Sequence, residues 1–187
     1  MIASTVLLLA LQVVAADDAS ASDGIPTALV IQAGYGFSAY NHKPDATSGG
    51  VYLQLEHRWQ VTDWFSPRAY GGALLTWPER DSCGADQAPC DVSNKIGFVG
   101  VKARAMAPFP YIGPYLEAGG GLSFGTIKTM VVDREDIDSS GVFGHIAVGA
   151  GLALGKHREV DLGFNYLLHP GQKQIGGGLV LGMSIPL

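Results

Sequence analysis

The chain has 187 residues, the length of a single domain, with a formal net charge of −5. Charged residues make up 16% and hydrophobic residues 47%, against roughly 25% charged in an ordinary soluble domain. This balance excludes a polybasic nucleic-acid binder, which needs a cationic excess over phosphate, and a disordered chain, which needs low hydrophobicity with high net charge. Glycine, at 26 residues, is about twice its usual share of about 7%.

In chain order, residues 1–16 come first, with the apolar run IASTVLLLALQVVAA at Ile2 to Ala16. The run has signal-peptide length, and Val14 and Ala16 form a small-residue cleavage pattern before Asp17. At about 15 residues it is short for a transmembrane helix, which needs about 20. Residues 17–26 read as a polar linker, leaving residues 27–187 as the folded domain.

That domain shows period two rather than 3.6. Eight segments alternate: 27–40, 50–59, 64–77, 95–107, 111–126, 141–154, 158–168 and 174–187. The first places Leu29, Ile31, Ala33, Tyr35 and Phe37 on one face, and the second Val51, Leu53, Leu55 and Trp59. The last is the cleanest, with Ile175, Leu179, Leu181, Met183, Ile185 and Leu187 together. Connections after odd segments run to about 9, 17, 14 and 5 residues, and after even ones to about 4, 3 and 3. Long loops at one end and tight turns at the other predict an all-β, eight-stranded antiparallel up-and-down transmembrane β-barrel. Trp59, Trp64, Phe65, Phe109 and Tyr111 flank the short turns, while Tyr40, Trp77, Phe124 and Tyr166 lie toward the long loops. Two such aromatic girdles suit the two interfaces of a membrane.

Charge decides which face points inward. With the polar faces inside, the short turns set Glu56 opposite Arg68, Arg68 near Lys102 or Arg104, and Lys102 opposite or diagonal to Glu117. These five residues, Glu56, Arg68, Lys102, Arg104 and Glu117, form an expected interior charge network in a lumen filled by side chains. Facing hydrocarbon instead, each midplane Arg or Lys would cost several kcal/mol. Inward glycines (Gly34, Gly36, Gly72, Gly119, Gly121, Gly149, Gly151) leave room for the long side chains.

Residues 27–187 resemble the eight-stranded outer-membrane barrels of the OmpA and OmpX type, although the chain ends in Pro186 and Leu187 where such barrels end in an aromatic residue. The resemblance implies a cell outer membrane location in a Gram-negative bacterium, both termini in the periplasm and four loops at the surface. It also implies insertion by barrel assembly machinery among outer-membrane lipid and lipopolysaccharide. Pro114 to Gly125 and Val160 to Gly171 are similar to segments of the outer-membrane lipid A deacylases. That family's His-x-Ser pair falls on Leu168 and Pro170 here, with His169 one place off, so nucleophile and base do not carry over.

The remaining constellations carry less chemistry. Cys83 and Cys90, in a Pro- and Asp-rich segment of an exported chain, are expected to form a local disulfide worth roughly 2.5 kcal/mol at most. Ser123 and His145 share the inward face, with Asn165 on a nearby strand, and read as a satisfied hydrogen-bond cluster. The histidines show no metal-ligand spacing, so neither a metal nor a cofactor is expected. The loops are mildly acidic and their ligand is unspecified. The functional expectation is a non-enzymatic outer-membrane barrel with a structural or surface-interaction role. A lipid A acyl hydrolase-like enzyme is the alternative.

Overall fold

A computed structural model describes residues 26–40, 43–78, 91–130 and 137–187. The expected signal peptide (1–16), most of the linker (17–26) and the Cys83–Cys90 pair lie outside the described residues, as does the side chain of Tyr40. Eight strands follow one another: β1 (Thr27–Tyr40), β2 (Lys43–Trp59), β3 (Phe65–Pro78), β4 (Asp91–Met106), β5 (Ile112–Met130), β6 (Ile137–Leu154), β7 (Val160–His169) and β8 (Gln174–Pro186). Each pairs antiparallel with the next, and β8 closes on β1, so no sheet edge is left open.

The alternation found in the sequence places the strand charges inside and an apolar, largely aliphatic face outside. Gln54, Glu56, Arg68, Lys102 and Arg104 are buried, whereas Val101, Leu116 and Val142 are each about two-thirds exposed. A water-soluble barrel has the opposite polarity. Trp59, Trp64, Phe109 and Tyr111 are exposed at the short-turn end, and Tyr35, Trp77, Phe124 and Tyr166 toward the other. His57, which interrupts the apolar face of β2, packs edge-on against Trp59 with ring centroids 4.4 Å apart.

Several strands run further than the hydrophobic pattern. β2 starts at Lys43 rather than residue 50, β4 at Asp91 rather than 95, and β6 at Ile137 rather than 141, while β5 continues to Met130. The connections after β1, β3 and β5 therefore shorten to 2, 12 and 6 residues from the expected 9, 17 and 14, and the turns after β2, β4 and β6 are five residues each. These extensions carry little apolar alternation (Lys43 to Ser48 reads KPDATS), because a strand with no hydrocarbon beside it needs none. In the β5–β6 ladder, the cross-strand pair Gly125 and Gly141 has φ of 138° and 140°. Side chains other than glycine rarely adopt that conformation. Beyond it, exposed Lys128 pairs with Asp138 at 3.1 Å.

Inside, the glycines do two things. A Cβ on Gly176 would meet the Leu74 side chain at 2.6 Å, and one on Gly178 the Tyr52 side chain at 2.7 Å. Elsewhere the obstacle is backbone: Gly34 faces the Leu179 carbonyl at 1.9 Å and Gly121 that of Val99 at 2.1 Å. Large inward side chains therefore rest on glycines, and the strands coil closely where no side chain intervenes.

Candidate functional site

The lumen is layered. Near the short turns, Met106, Tyr115 and Ala153 form a small apolar cluster, and the Arg104 guanidinium lies 3.5 Å from the centroid of the Tyr115 ring. Above it sits an ionic layer. Toward the long loops follows an apolar plug of Tyr52, Tyr70, Leu74, Ile96, Phe98, Ile127, Leu167 and Val180. A polar layer joins Ser38, Ser48, Thr76 and Asn94 through hydrogen bonds of 2.6–3.2 Å. The apolar plug is a feature that alternation alone does not reveal, because Leu74, Ile96, Phe98 and Leu167 point inward with the polar set.

The ionic layer brings together the five residues singled out from the sequence and adds Asp161. Arg68 Nη1 donates to Glu56 Oε2 at 2.5 Å. Lys102 Nζ lies 2.7 Å from Glu56 Oε1 and 2.5 Å from Glu117 Oε2. Arg104 Nε donates to Glu117 Oε1 at 2.6 Å, and its Nη1 to Asp161 at 3.0 Å. Gln54 Nε2 also donates to Glu56, at 2.5 Å. The register is corrected in one respect. Arg68 stands directly across from Arg58, and Glu56 across from Tyr70, so the Glu56–Arg68 contact is diagonal. Lys102 faces Gly119, which makes its contact with Glu117 diagonal too, whereas Arg104 faces Glu117 directly. Charges this deep incur a large desolvation cost, which is offset only where each finds partners of opposite sign and good geometry.

The serine–histidine cluster differs in membership. Ser123 Oγ lies 2.9 Å from His145 Nδ1 and 2.9 Å from His169 Nε2, and His145 Nε2 is 2.6 Å from the Tyr70 hydroxyl. Asn165 is not part of it; its amide donates instead to Gln32 Oε1 at 3.0 Å. The His169–Ser123–His145–Tyr70 chain is closed off from both lipid and water: Ser123 is 0% exposed, and His169 1%. A hydroxyl held there by two imidazoles is positioned to fill hydrogen bonds, and among the described residues no carboxylate completes a nucleophile–base–acid relay. His169 was missed because it falls at the far end of β7, and only the packing of β5, β6 and β7 brings it to Ser123. Among the described residues, no cluster of three or more His, Cys, Asp or Glu could hold a metal.

No protein-family model and no curated protein sequence matches the chain. Solved structures do match in fold. Neisserial surface protein A aligns at 14% identity with a TM-score of 0.58, covering 85% of this chain and 96% of its own. Ail, the attachment invasion locus protein of Yersinia pestis, aligns at 15% identity and TM-score 0.54, covering 87% and 99%. The outer membrane enzyme PagL aligns at 17% identity and TM-score 0.47, covering 84% and 99%. The chain thus has the fold of the eight-stranded outer-membrane barrels. At these identities the likeness extends to fold alone.

Proposed function

We propose that this chain is a non-enzymatic integral barrel of a Gram-negative outer membrane, acting through the surface presented where β1–β2, β3–β4, β5–β6 and β7–β8 connect, with the strand extensions there and the twelve-residue β3–β4 loop. The observation that carries the reading is the inversion of polarity. Among the described residues, the face turned into the barrel holds seven charged residues, Glu56, Arg58, Arg68, Lys102, Arg104, Glu117 and Asp161, while the face turned outward is an aliphatic band between aromatic girdles. Lipid is the solvent that suits such a surface. The signal-peptide reading of residues 1–16 supports export, and barrel assembly machinery supplies insertion among outer-membrane lipid and lipopolysaccharide.

The ionic layer and the apolar plug occupy the lumen, which disfavours a pore. Catalysis on a lipid would need a nucleophile facing the lipid. Among the described residues, the serine held by histidines is Ser123, and it is buried inside. The reading is tested by fractionating cells and running the membrane-inserted protein with and without boiling. Heat-modifiable migration in the outer-membrane fraction is expected, and release as a soluble species by carbonate would overturn the reading. Lipid A mass spectra with and without the protein test the absence of hydrolase activity. A change in acyl pattern would favour the alternative of a lipid A acyl hydrolase.

A further inference from the structure

We infer that the short-turn end of the lumen holds a small monovalent inorganic anion of the chloride class beside Arg58. Three cations, Arg58, Arg68 and Lys102, stand in direct cross-strand register on β2, β3 and β4. Like charges placed directly opposite repel one another, so such a row persists only where anions are set between its members. Glu56 lies between Arg68 and Lys102, Glu117 between Lys102 and Arg104, and Asp161 against Arg104. No carboxylate of the described residues forms an ion pair with Arg58.

Charge counting gives the same result. Among the described inward-facing residues, buried Arg68, Lys102 and Arg104 balance Glu56, Glu117 and Asp161, and half-buried Arg58 leaves one positive charge in excess. The hydrogen-bond inventory of the short-turn half of the lumen is skewed the same way. Arg58 Nε, Arg68 Nε, Arg104 Nη2 and Gln32 Nε2 are buried N–H groups without a hydrogen-bond acceptor, and Ser184 Oγ, also buried, has no partner. Arg68 and Arg104 are each 1% exposed. Guanidinium and amide N–H groups can be satisfied only by an acceptor. A water could accept from one of them, but it cannot cancel the charge. A monovalent anion does both, whereas a dianion such as sulfate would overshoot the excess.

Arg58 is half-buried at the short-turn mouth of the lumen. Arg58 is the neighbour of Ala28 on β1, and Ser184 on β8 is the neighbour of Val30, so two short apolar side chains separate the cation from the hydroxyl. The mouth on this side is crossed by Arg158, in the β6–β7 turn, whose Nη1 donates to the Asp63 carbonyl in the β2–β3 turn at 2.8 Å. Those two turns lie on opposite sides of an eight-stranded ring.

The test uses the full chain, folded in detergent and crystallised with sodium bromide in place of chloride. One anomalous bromide peak is expected in the lumen beside Arg58, and none in the Arg58→Gln variant. That variant relieves the Arg58–Arg68 repulsion and is expected to fold. In solution, the midpoint of the heat-modifiable transition should be several degrees higher in chloride than in gluconate at equal ionic strength, and equal in the two salts for Arg58→Gln. No lumenal bromide in the wild-type barrel, a peak that survives Arg58→Gln, or the same wild-type midpoint in both salts would each overturn the inference.

Discussion

Replacing Glu117 by Ala should be among the most damaging single changes in the barrel. Its carboxylate sits 2.5 Å from Lys102 Nζ and 2.6 Å from Arg104 Nε, with Arg68 Nε at 3.8 Å. The substitution removes two charge-assisted hydrogen bonds and raises the lumenal excess from one positive charge to two. Breaking a buried pair by removing one partner costs about 3–5 kcal/mol. With two direct cationic contacts, about 4 kcal/mol is expected, nearly three orders of magnitude in the folding constant. Urea titration of the barrel in phospholipid vesicles, followed by heat-modifiable migration, measures this. Adding Lys102→Met restores the original charge excess and should recover roughly half of the loss. A loss below about 1 kcal/mol for Glu117→Ala, or a double variant less stable than the single one, would refute the view that Glu117 holds these cations together.

Further outcomes follow from the same geometry. Val101→Arg, on the exposed aliphatic band, should cost about 2–4 kcal/mol in vesicle folding. Lys95→Arg, outward-facing and already cationic at the long-loop end, should be silent; equal costs would place the bilayer elsewhere. Gly34→Ala puts a Cβ 1.9 Å from the Leu179 carbonyl. It should fold poorly, read as a larger unfolded fraction on gels, because backbone cannot rotate away as a side chain can. Ser123→Ala strands a nitrogen on each of His145 and His169 and should cost about 1–3 kcal/mol. It should leave the lipid A acyl pattern unchanged, and a specific change in that pattern would count for catalysis.

Much of the architecture was legible from residue order. The 27–40 segment coincides with β1, and the last segment differs from β8 by one residue. Both lie wholly within the region where one face meets an apolar surround, so their alternation runs from end to end. β2 was read seven residues short because Lys43 to Gly49 lack that alternation. The ladder there is held by backbone hydrogen bonds, which leave no mark on side-chain periodicity. Asp161 and Arg58 share the parity of the polar faces of their strands, but only the ladder brings them to the ionic layer.

The sequence by itself determined the number of strands, their antiparallel order and which residues share a face, because alternation and turn length are local properties of the chain. Tertiary structure decided the contacts inside. Whether Arg68 meets Glu56 or Arg58 across the ladder depends on a register set by the turn and on how far each strand is staggered in closing the barrel. The reach of a long side chain then turns a like-charge pair into a diagonal ion pair. The His169–Ser123–His145–Tyr70 chain likewise joins four strands, β7, β5, β6 and β3, that meet in this way only once β8 has closed on β1.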